Sequence, residues 1–71
     1  MEFLVVLEKG SSSYGAYVPD LPGCVAVGDT RRHVMKLIRE AIPIHIQAMR
    51  DAGESVPAPT SRGEIVKVKA A

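Results

Sequence analysis

Apolar and polar positions alternate in short blocks over the first thirty residues and then settle into a helical period. Phe3, Val5 and Leu7 interleave with Leu4 and Val6, so a strand here is apolar on both faces, which suits one covered on each side. Glu2 and Glu8 bracket it. Lys9 to Ser13 has turn composition and joins it to Tyr14 to Val18, a run of strand formers stopped by Pro19; the two read as a hairpin. Pro19-Asp20-Leu21-Pro22-Gly23 is the densest punctuation in the chain. Two prolines fix φ and withhold donors while Gly23 permits positive φ, which predicts a rigid connection. Cys24 to Val27 then forms a third short strand ending at Gly28, and the simplest topology is an antiparallel three-stranded meander.

Asp29 or Thr30 supplies a helix N-cap, although His33 stands where a capping box would need Glu or Gln. Laid out at about 100° per residue from Val34, the apolar positions through Met49 cover an arc of about 200°, twice the usual stripe. One side of that arc belongs on the sheet and the other against something else, which argues for self-association through Met35, Ile42, His45, Ile46 and Met49. Pro43 falls on the polar face, removes the backbone bond to Arg39 and predicts a kink. Gly53 ends the helix as a left-handed cap. Glu54 to Ser61 is proline-stiffened and extended, and Glu64 to Lys69 alternates Ile65, Val66 and Val68 with Lys67 and Lys69 as a short final edge strand. The expected fold class is α+β: two layers in the order β-β-β-α-β, with one long helix packed on the meander, in a single domain spanning residues 1–71.

Length sharpens the case for association. A chain of 71 residues buries only about 60% of its extended surface, and a core of this size rarely supplies more than about 3 to 5 kcal/mol. With 46% hydrophobic residues and one cysteine, it lacks the disulfides or metal that usually staple small domains, which leaves a homo-oligomer, dimer or tetramer, as the expected device. No apolar run reaches a membrane span, and Met1 to Leu7 lacks the basic start and small-residue cleavage site of a signal peptide. The expected location is the cytoplasm, and the lone Cys24 agrees. The formal charge of +1 hides an asymmetry. Residues 1–30 carry one lysine against four acids, net −3, and the remainder carries eight bases against four acids, net +4.

Candidate chemistry is sparse. His45 projects to the centre of the apolar arc, the place for a histidine satisfied within a core or interface, and no nucleophile stands at helical spacing beside it. His33 lies at the polar margin of the first turn. Glu2, Glu8, Asp20, Asp29 and Glu40 are scattered over strand ends, loops and the helix's polar face, whereas two-metal nucleases cluster theirs. Cys24 follows a Pro-Gly turn with no histidine nearby, and Gly10, Gly15 and Gly23 match no phosphate loop. No catalytic residue, cofactor or metal is expected. Tyr14 and Tyr17 lie on opposite faces of one strand, and Arg31, Arg32, Lys36, Arg39 and Arg50 line the helix's exposed side.

The run Tyr14-Gly15-Ala16-Tyr17-Val18-Pro19-Asp20-Leu21-Pro22-Gly23-Cys24, the helix start Gly28-Asp29-Thr30 and the helix end Ala52-Gly53-Glu54-Ser55-Val56-Pro57-Ala58-Pro59 together resemble the HicB-like antitoxin family over about residues 3–60. The resemblance implies a partial RNase H-like fold, self-association and neutralisation of a small basic HicA-type toxin that cleaves mRNA. Full antitoxins of that family continue into a DNA-binding domain, and this chain stops at Ala71, so DNA binding by this chain alone is not expected. Pro43 also departs from the family's uninterrupted helix. A basic RNA-binding partner is matched by the acidic half of the chain, which places Tyr17, Asp20, Leu21, Pro22 and Gly23 at or near the partner surface. The competing reading is an orphan oligomeric module of the same fold that holds RNA on its basic helix face.

Overall fold

Three four-residue strands, β1 (Val6–Lys9), β2 (Tyr14–Tyr17) and β3 (Val25–Gly28), precede one 21-residue helix, α1 (Arg31–Asp51), in a computed structural model that describes residues 1–70. The sheet is an antiparallel meander ordered β1-β2-β3, as the punctuation predicts. Register fixes the faces, because cross-strand partners share one. Leu7, Ala16 and Ala26 form one row and Lys9, Tyr14 and Gly28 the next, both facing α1; Val6, Tyr17 and Val25, with Glu8, Gly15 and Val27, form the outer face. The fold is α+β, with the helix laid on one side of the sheet.

β1 begins three residues later than the sequence pattern suggests. Pairing starts at Val6 with Tyr17; Val18 turns its N–H toward the β3 side, donating to the Cys24 carbonyl at 3.1 Å, and Pro19, the next residue whose backbone would face β1, offers no donor. Phe3 and Val5 still pack on the core as extended chain.

The core is Ala16, Val18, Leu21, Cys24, Val34 and Ile38. Val34 and Ile38 stand one turn apart on α1, so both meet the sheet, and Leu21 closes the end of the layer from the turn after β2. Phe3, Leu7, Ile42 and Ile46 pack around this centre as a half-buried shell.

Both helix ends are capped. Thr30 is extended at φ −130° and its Oγ1 accepts from the His33 N–H at 3.0 Å. At the far end the Gly53 N–H donates to the Arg50 carbonyl at 3.0 Å and the Glu54 N–H to Met49 at 2.9 Å, with Gly53 at φ +75°; this is a Schellman motif, and it needs the residue without a Cβ. α1 remains one helix through Pro43, which lies on its exposed side, where the Arg39 carbonyl can turn to water. Pro43→Ala restores the missing donor. It is expected to raise the free energy of unfolding by about 2 kcal/mol, read as a higher urea midpoint at unchanged slope.

The expected final strand does not form. Residues 64–69 have no ladder partner, and Ile65, Val66 and Val68 are 102%, 74% and 79% exposed. The chain is pinned as far as Ser61, and beyond that no strand lies beside it. Strand preference expresses fit to a neighbouring surface, and alternation alone supplies none. Total accessible surface is 5684 Å², against about 4,300 Å² for a compact chain of this mass. The radius of gyration is 14.2 Å, against about 11 Å for a compact chain of this length.

Candidate functional site

The residues singled out from the sequence meet at one end of the sheet, where β2 turns into β3. Two tight turns share Leu21. In the first, the Leu21 N–H donates to the Val18 carbonyl at 3.0 Å, with Pro19 and Asp20 between them; in the second, the Cys24 N–H donates to Leu21 at 3.0 Å across Pro22 and Gly23. Gly23 sits at φ +84°, the third-residue conformation of a type II turn, and Pro22 presets the residue before it. The Val18-to-Cys24 bond closes the base, so a seven-residue knob carries three backbone bonds and two prolines.

The five predicted surface residues divide here. Tyr17, Pro22 and Gly23 are exposed at the rim. Leu21 is fully buried, so its side chain props the knob from inside, whereas its neighbours in sequence, all turn formers, point to a place at or near the surface. Asp20 is engaged within its own chain. Its Oδ2 accepts the N–H groups of Thr60 (3.0 Å) and Ser61 (2.8 Å), and its Oδ1 accepts the hydroxyls of Ser61 (2.8 Å) and Thr60 (3.4 Å). The carboxylate therefore clasps the extended segment after α1 to the knob across 40 positions of sequence.

That geometry lowers the Asp20 pKa below its ordinary 3.8. The Ser61 N–H is the largest cause, followed by the Ser61 hydroxyl; desolvation comes next and opposes them, and the two Thr60 donors add smaller contributions in the lowering direction. A folded pKa lower than the unfolded one gives a contribution that is complete above the unfolded value and disappears as pH falls through the folded value. Amide protection at Thr60 and Ser61 should accordingly hold from neutral pH down to 3.8 and collapse only below it. Loss of protection by about pH 5, where a free carboxyl is still ionised, would contradict the clasp.

His45 is half-buried beside the knob, its Cε1 3.7 Å from where a Cβ on Gly23 would sit. It forms the wall between two shallow hollows. One, about 380 Å³, lies toward Pro22, Met49 and Pro57; the other, about 330 Å³, lies toward Val25, Ala41 and Ile44. Met35, Ile42, Ile46 and Met49, expected at an oligomer interface, are half-buried against their own chain's core. The large apolar side chains left open near the knob are Val25, Val27 and Ile44, at 63%, 68% and 69% exposure.

Burial pushes the Cys24 thiol up, away from the thiolate a nucleophile requires. Among the described residues, no three His, Cys, Asp or Glu side chains group in a way that could hold a metal ion, and no helix is long and apolar enough to cross a membrane. What the arrangement offers chemically is a stiff recognition surface.

A family model of the HicB-like antitoxins of bacterial toxin–antitoxin systems matches residues 3–70. The chain belongs to that family. Its fold superposes on the crystal structure of the N-terminal domain of the Burkholderia pseudomallei antitoxin HicB with a TM-score of 0.74 at 38% identity, covering 87% of this chain and 74% of that one. A chain of the HicA3 and HicB3 toxin–antitoxin complex matches with a TM-score of 0.67 at 27% identity, over 83% of this chain and 72% of that one. A 14.9 kDa protein of Haemophilus phage HP1 is 39% identical over 57 residues, which is 80% of this chain and 43% of the phage protein; the chain thus spans less than half the length of that relative. In this HicB-like chain, the knob and its clasp lie within the part that the family model matches.

Proposed function

We propose that this HicB-like protein binds and neutralises a small, basic HicA-type toxin that cleaves mRNA, acting in the cytoplasm as a homo-oligomer and by binding alone. The observation that carries this reading is the likeness to a chain solved within a HicA3 and HicB3 toxin–antitoxin complex. The physical support is a preorganised surface: Tyr17, Pro22 and Gly23 stand on a knob whose shape is already fixed by three backbone bonds, so little conformational freedom is lost on docking. Asp20 stiffens that surface through Thr60 and Ser61, and its negative charge lies beside the knob for a basic partner to meet.

The test is capture by the tagged protein from its host's lysate at moderate salt, with sizing of the recovered complex. A small basic protein in stoichiometric amount, whose RNA cleavage stops in the complex, is the expected result. The exposed basic row of α1, Arg31, Arg32, Lys36 and Arg39, favours one alternative, an RNA-holding module. Recovery of RNA without protein, with affinity falling linearly in log salt, would replace the antitoxin reading by that one.

A further inference from the structure

Three stretches that are far apart in sequence wall one hollow beside the knob. Pro22 comes from the knob, His45, Ala48 and Met49 from the last two turns of α1, and Glu54 and Pro57 from the segment that follows, bounding about 380 Å³. Each wall is held by bonds of its own. Three backbone bonds close the knob, and Gly53 at φ +75° turns the chain so that the Glu54 N–H donates to the Met49 carbonyl at 2.9 Å. The Asp20 carboxylate fastens the segment beyond Pro57 through Thr60 and Ser61. The hollow is therefore shaped before anything enters it.

Its chemistry is lopsided. Two prolines, a methionine and an alanine make most of the lining apolar, and with histidine neutral Glu54 is the one lining residue that carries a charge at pH 7. Arg50, four residues before it, does not line the hollow. α1 also ends here, so the negative end of its dipole adds to the carboxylate. A cation carried on an apolar stem meets both features, whereas an anion is repelled.

We propose that this hollow receives an arginine side chain of a protein partner, its methylene stem lying against Pro22, Met49 and Pro57 and its guanidinium paired with the Glu54 carboxylate. Charge complementarity selects the cation, and the apolar walls select its stem. Arginine fits better than lysine. Its planar head is weakly hydrated, stacks on a flat ring such as that of His45, and donates to both oxygens of one carboxylate, while an ammonium holds its water. The assignment rests on the reading of a basic toxin as partner and deepens it, because it states which kind of toxin side chain is gripped and where.

Titration of the full chain with an acetyl-Gly-Arg-Gly-amide peptide, followed by NMR, tests it, with the citrulline peptide of the same shape and no charge as control. The arginine peptide should shift the amide signals of Ala48, Met49 and Glu54 saturably at millimolar concentration, and the citrulline peptide should not. Glu54→Gln should abolish those shifts at an unchanged melting temperature, because the helix cap uses only the Glu54 N–H. Calorimetry against a HicA-type toxin gives a second reading: Glu54→Gln should weaken the complex about tenfold. Shifts that are absent, equal with citrulline or unaltered in Glu54→Gln would overturn the proposal, as would a toxin complex of undiminished affinity in that variant. Failure of the unmutated chain to bind any HicA-type toxin would instead defeat the antitoxin reading. The peptide result then stands alone: binding keeps the hollow as an arginine site, and its absence overturns it.

Discussion

Leu21→Ala is expected to leave a large fraction of the protein unfolded at 37 °C. The side chain has no exposed surface and sits where both tight turns and the end of the helix layer converge. Removing a fully buried leucine costs about 2 to 5 kcal/mol, and a core of this size supplies only about 3 to 5 kcal/mol. The loss therefore approaches the whole stability of the domain. Leu21→Met keeps the volume and should cost less than about 1.5 kcal/mol. Thermal melts of the two variants separate a packing role from a contact role, because a surface leucine would tolerate alanine as readily as methionine. Equal, near-native melting temperatures for both would show that the knob does not depend on its buried prop.

Tyr17→Ala is expected to do the reverse, sparing the fold and weakening the proposed toxin complex about thirtyfold or more. Tyr17 stands on the outer face between Val6 and Val25, so its loss removes cross-strand contacts worth about 1 kcal/mol or less. At an interface, a tyrosine held on a rigid strand beside a preshaped turn is a typical anchor, and truncating such a residue costs about 2 kcal/mol or more. Titration calorimetry against a HicA-type toxin, together with a melt of the free variant, reads both quantities. An unchanged affinity would move the contact off this face. A drop in melting temperature comparable to that of Leu21→Ala would make Tyr17 a structural residue.

Much of this arrangement is legible in the sequence because short-range rules govern it. The meander follows from three apolar blocks separated by Lys9 to Ser13 and by the Pro19 to Gly23 punctuation, and α1 follows from a stripe in which Val34 and Ile38 recur at helical spacing. The Gly53 cap is readable for the same reason, since only the last turn and the two residues after it take part. The candidate site is less readable because its parts are distant. Asp20 reads locally as a free surface charge, and the groups that engage it, Thr60 and Ser61, lie 40 and 41 positions away. A Thr-Ser pair directly after Pro59 is the one sequence sign of that contact, two hydroxyls on stiffened chain, and it names no partner. Leu21 carries a clearer signal: it is the one aliphatic residue without a fixed ring between two prolines, and an apolar side chain in a tight turn is free to point inward. The final strand fails for the converse reason. Ile65, Val66 and Val68 have the right local preference, but a strand needs an edge within reach, and no periodicity reports whether one is there.

The knob and the clasp together favour a protein that acts by presenting a fixed shape. Prolines and backbone bonds set the knob, the Asp20 carboxylate fastens the distal segment to it, and His45 and Met49 of α1 flank it from the helix side. A surface of this kind suits the blocking of another protein's active face, where preorganisation sets residence time. The most direct measurement is RNA cleavage by a purified HicA-type toxin from the same host, titrated with the full chain. Cleavage should fall linearly and stop near one antitoxin chain per toxin, and Tyr17→Ala should shift that endpoint to large excess. Cleavage that continues undiminished in the presence of a many-fold excess of folded protein would contradict the antitoxin reading.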